Sequence, residues 1–85
     1  MAISYLRDVY VLTEIIYEPV RKLIAEKRPL WNYVFENGML KINTNTNHVD
    51  HEILKEIKDL GFRVYEIGYL EKFGVIFFVV EESLN

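Results

Sequence analysis

The sequence predicts a two-layer α+β domain in the order helix, hairpin, helix, hairpin, with a four-stranded, mainly antiparallel sheet and two helices on one face. Three observations carry this expectation. An Asn-Gly pair at 37–38 divides two apolar runs, a capped amphipathic stripe follows over about 48–60, and two further apolar runs fill about 62–81.

The first helix is expected over about residues 4–27. Leu6, Val9, Thr13, Ile16, Val20, Leu23 and Ile24 recur at steps of three and four, while Arg7, Asp8, Glu14, Glu18, Arg21 and Lys22 fall on the other side. The stripe keeps its register across Pro19, which implies either one helix kinked there or two helices with Pro19 in the first turn of the second. A strand is the competing reading for 9–17, because Val9, Val11, Thr13, Ile15 and Tyr17 also alternate and are strand formers.

The first hairpin, over about 31–44, follows from Asn37 and Gly38, the preferred pair for a two-residue type I′ turn. Counting outward sets Glu36 against Met39, Phe35 against Leu40, Tyr33 against Ile42 and Trp31 against Thr44. That register gathers Trp31, Tyr33, Phe35, Leu40, Ile42 and Thr44 on one face, and a slip of one residue would destroy the separation. A short helix over 29–36 ended by Gly38 is the alternative, since Leu30, Trp31, Val34 and Phe35 also fit helical spacing.

The run Asn43-Thr44-Asn45-Thr46-Asn47 reads as a loop ending in a helix cap, with Asn47 as the expected cap. Val49, Ile53, Leu54, Ile57 and Leu60 then form the second helical stripe, over about 48–60, and Gly61 is the expected residue just past its end. The second hairpin pairs Phe62–Leu70 with Phe73–Glu81 across Glu71 and Lys72, with Gly74 available for a bulge. Its later strand is apolar at both parities, which predicts a place at the centre of the sheet or in an interface. The two halves share an element order but negligible residue identity, so a structural pseudo-repeat is the most that follows.

Composition bears on function mainly by exclusion. A chain of 85 residues is expected to form a single domain over 1–85 and hides only about 60 to 65% of the surface its unfolded form exposes. Its 51% apolar and 14% aromatic content exceeds what such a domain conceals, so a surplus is expected to meet a partner. With no cysteine there is neither a disulfide nor a thiolate metal site, which leaves oligomerisation as the remaining aid to stability. No basic stretch precedes an apolar run at the start, and the longest apolar run, Val75–Val80, is far too short for a membrane helix, so a cytoplasmic protein is the expectation.

Catalysis finds little to work with. The only serines, Ser4 and Ser83, lie near the two ends, and Glu14, Glu18, Glu52, Glu56 and Asp59 fall on expected solvent faces of helices. The four glycines are isolated and make no phosphate loop, so neither an enzyme, a cofactor nor a small-molecule substrate is expected. His48 and His51 stand one turn apart and are the weak metal candidates, lacking a third ligand fixed by local spacing. In the simpler account they are solvated residues of the first turn.

Nucleic-acid binding has one candidate patch: Arg21, Lys22, Lys27 and Arg28, four cations in eight residues with only Glu26 among them. The total charge of −3 has the wrong sign for a non-specific binder, and cations near a helix C-terminus are explained by its dipole. Tyr33 is expected in the core, while Tyr5, Tyr65 and Tyr69 are better candidates for an exposed contact. The expectation that follows is a non-catalytic interaction domain forming a homodimer through its sheet, with Ile76, Phe78 and Val80 turned outward and Tyr65 and Tyr69 flanking them. A nucleic-acid-associated regulator acting through the basic patch is the alternative.

Overall fold

The computed structural model describes residues 14–83. The chain is α+β with a four-stranded antiparallel sheet. The expected helix over 4–13, with Tyr5 and the first part of the 9–17 segment, lies outside the described residues.

Residues 14–16 are helical, Tyr17 makes a turn, and helix α1 runs Glu18–Lys27 with Pro19 in its first turn. Of the readings for Pro19, the break with a new helix is therefore the one found, as the missing N–H and fixed φ of proline favour. The helix stops at Arg28, whose extended φ of −137° is what a residue before Pro29 adopts.

Strands β1 (Asn32–Glu36) and β2 (Met39–Asn43) pair antiparallel, with Glu36 against Met39, Phe35 against Leu40 and Tyr33 against Ile42. Between them Asn37 and Gly38 both have positive φ, 53° and 75°, the geometry a type I′ turn requires. The short helix over 29–36 is not formed. Trp31 and Thr44 lie just outside the paired strands, and Tyr33, expected in the core, is 38% exposed at the sheet edge.

Helix α2 runs His51–Asp59, and its cap is Asp50 rather than Asn47. The Asp50 carboxylate accepts the Ile53 N–H at 3.2 Å, while Asn47 and Val49 stay in the preceding loop. A carboxylate three residues before a free N–H satisfies an otherwise orphaned donor and meets the positive end of the helix. Gly61 follows the C-cap Leu60 with φ 96°, and its N–H reaches the Lys58 carbonyl at 3.0 Å.

Strands β3 (Phe62–Leu70) and β4 (Val75–Glu82) complete the sheet in the order β1-β2-β4-β3, which places β4 inside it. The turn between them is longer than expected, occupying 71–74 with Gly74 at φ 67°. The irregularity in the ladder lies at Tyr65, between Val64 and Glu66, rather than beside Gly74.

The parity of β4 is the reverse of the sequence expectation. Phe78 is 3% and Val80 0% exposed, because β4 pairs Val80 with Leu40 and Phe78 with Ile42. Directly opposed residues share a face, so Phe78 and Val80 join the buried residues Leu40 and Ile42 of the first hairpin. There they form one cluster with Val20 and Ile24 of α1 and Ile53 and Ile57 of α2. The other parity, Val75, Phe77 and Val79, takes the opposite face. Trp31 packs edge-on against Phe78 at 5.9 Å and donates its indole N–H to Asn45 Oδ1 at 2.9 Å. The buried Thr44 hydroxyl donates to the Ile76 carbonyl at 2.7 Å, which extends the β2–β4 contact past the last paired residue.

Candidate self-association surface

The expected outward row does not survive the observed register. Phe78 and Val80 are core residues and present no surface to a partner, and Ile76 is only partly exposed. The opposite face is partly covered by its own side chains. Lys41 Nζ sits 4.6 Å from the centre of the Phe77 ring, and that ring occupies the space a side chain on Gly68 would need. Val79, on the same face, is 8% exposed.

Exposed apolar surface is found instead along β3, an edge strand of the sheet among the described residues. Ile67 pairs with Phe78 and Tyr69 with Ile76, which sets both on the face that carries the core residues Phe78 and Val80. They remain 47% and 54% exposed, and Tyr65, the bulged residue, is 60% exposed. A shallow groove runs between this strand and α2, lined by Leu54, Lys58, Val64, Tyr65, Glu66 and Ile67. As an edge strand β3 turns alternate N–H and C=O groups away from β4, in the direction a further strand would approach. Tyr65 and Tyr69 are exposed on one strand, but they do not flank an outward row of Ile76, Phe78 and Val80, because Phe78 and Val80 face the core. Ile67 was missed, although its signal was present in the Tyr65, Ile67, Tyr69 alternation.

The basic residues of the first helix are brought near one another but not left free. Lys22 pairs with Glu18 at 3.4 Å, Lys27 with Glu56 at 2.6 Å, and Arg28 with Asp50 at 2.8 Å and Glu52 at 3.4 Å. Arg21 lies over the Tyr33 ring at 5.5 Å and donates to its hydroxyl at 3.1 Å. The hydrogen bonds that Arg28 donates to Asp50, Lys27 to Glu56 and Arg21 to Tyr33 hold all three cations above their ordinary pKa values. Carboxylates from α2 and its cap thus spend charge that a phosphate would otherwise meet. Sequence spacing gave no sign of this, because Arg28 and Asp50 stand 22 positions apart.

His48 lies in the loop before α2 and His51 opens the helix; both are exposed. Among the described residues no group of three or more His, Asp or Glu is placed to hold a metal ion. Of the two carboxylates adjacent to His51, Asp50 is engaged by Arg28 and Ile53 and Glu52 by Arg28. No helix among the described residues is long and apolar enough to cross a membrane.

No family model matches this chain, and comparison with curated proteins and with solved structures gives no match.

Proposed function

We propose that this chain is a small, non-catalytic interaction module, a two-layer domain with its helices on one face of the sheet, which associates with a second copy of itself through that sheet. The observation that supports it is the row Tyr65, Ile67 and Tyr69, three large side chains about half exposed on one strand at the sheet edge. Burying such a row returns roughly 25 cal/mol for each Å² of apolar surface, and Tyr keeps its hydroxyl available for the rim. An edge strand with a partly apolar flank is the kind of surface that pairs.

Nucleic-acid association is the weaker reading, because Lys22, Lys27 and Arg28 each already face a carboxylate.

Light scattering on the eluting protein across a range of concentrations tests the proposal. Wild type is expected at the dimer mass, and Ile67→Asp, which places a charge on the exposed row without entering the core, at the monomer mass. A monomer mass for both at every concentration would remove it.

A further inference from the structure

Resting on the self-association proposed above, we infer that two copies join edge to edge through β3 about a two-fold axis at Gly68, so that two four-stranded sheets become one continuous antiparallel sheet.

The register follows from symmetry and from the bulge. A strand that pairs with its own copy about a two-fold axis runs antiparallel to it, with the axis perpendicular to the sheet. Directly opposed residues project from the same face, so each residue must meet one of its own parity, and the axis must fall on a residue that meets itself. Few centres are then open. Glu66 at the axis would set two carboxylates face to face, which is destabilising. Ile67 at the axis would draw the bulged Tyr65 into the new ladder, where the backbone departs from regular pairing. Tyr69 at the axis would run into the turn at Glu71 after one further residue.

Gly68 uses the whole stretch Glu66–Leu70, which is regular against β4. It sets Ile67 of each copy against Tyr69 of the other, twice, both on the face that carries Phe78 and Val80. Glu66 then faces Leu70, and no like charges oppose. Exposed apolar residues flank Gly68 at equal distance on one face, so the segment is its own complement and a second copy is the occupant it fits. At the axis Gly68 brings no side chain, and the Phe77 ring of each copy already fills the space beside it.

The chain has no cysteine, so introduced thiols report on proximity without background. Full-length Ile67→Cys and Tyr69→Cys proteins, mixed and oxidised, are expected to give the mixed disulfide dimer in several-fold excess over either symmetric one. Glu66→Cys mixed with Leu70→Cys repeats the test on the opposite face without disturbing the aromatic contact, and circular dichroism matching wild type confirms that each variant folds. A symmetric Ile67→Cys dimer as the main product would overturn this register. A dimeric wild-type mass with no mixed disulfide from either pair would overturn the β3 edge while leaving self-association intact; a monomeric wild type would remove both.

Discussion

Arg28 Nε donates to Asp50 Oδ2 at 2.8 Å while Oδ1 of the same carboxylate accepts the Ile53 N–H at 3.2 Å. One side chain thereby ties the end of α1 to the start of α2. Burial pushes the Asp50 pKa up, but the hydrogen bonds from Arg28 and Ile53 and the nearby charges of Arg28 and His48 outweigh it, and the net direction is down. A depressed carboxylate contributes stability that is fully present above its unfolded value, about 3.9, and is lost as pH falls through the folded value. Asp50→Ala is expected to cost about 1–2 kcal/mol at neutral pH, and Asp50→Asn less, because the amide oxygen still caps. Urea unfolding at pH 7 and again well below pH 4 checks the sign. The gap between wild type and Asp50→Asn should narrow in acid.

The parity of β4 is tested by two adjacent truncations. Phe78→Ala empties a site in the core and is expected to cost about 3–5 kcal/mol. Phe77→Ala removes a half-buried ring and its contact with Lys41 and is expected to cost about 1 kcal/mol. Thermal or denaturant unfolding of the pair decides it, and equal losses would contradict the observed facing.

Gly68 and Phe77 form a coupled pair, since the ring occupies the direction of a Cβ on Gly68. In wild type, Gly68→Ala must displace that ring, at an expected cost of about 1–2 kcal/mol. With Phe77→Ala already in place the obstacle is gone, and the same change should stabilise by roughly 0.5 kcal/mol, as replacing glycine in a strand ordinarily does. A double-mutant cycle measures the difference, and additivity would show that the two side chains do not meet.

Three of the four cations near the end of α1 are matched by carboxylates. Fluorescence anisotropy with a short labelled oligonucleotide, single- or double-stranded, is therefore expected to show no binding even at low ionic strength, where attraction to phosphate is greatest. Binding that weakened steeply with salt and was lost in Arg21→Ala would restore the nucleic-acid reading.

Much of the architecture was legible because its signals are local. Asn37-Gly38 fixes a turn and, by counting, the register of Phe35 and Tyr33 against Leu40 and Ile42. Gly61 marks the end of α2 in the same way. The facing of β4 was not legible, since Val75 through Val80 are apolar at both parities and only the pairing of Phe78 with Ile42 decides between them. The cap of α2 was misplaced by three residues because Asn47 and Asp50 are both good caps, and the Arg28 partner that favours Asp50 comes from a distant part of the chain. On the candidate surface, Tyr65 and Tyr69 were recognisable from their amphipathic rings. Ile67 and the edge position of β3 depend on strand order, which no single strand encodes.

The strand that joins the two hairpins is also the last of the four to be synthesised. β4 lies between β2 and β3, so a chain emerging from the ribosome has completed β1, β2 and β3 before anything links them into one sheet. Until Glu82 has left the exit tunnel, β2 and β3 each lack the strand that they pair with in the finished sheet. A nascent chain of this kind is open to chaperones or to neighbouring copies for as long as that wait lasts.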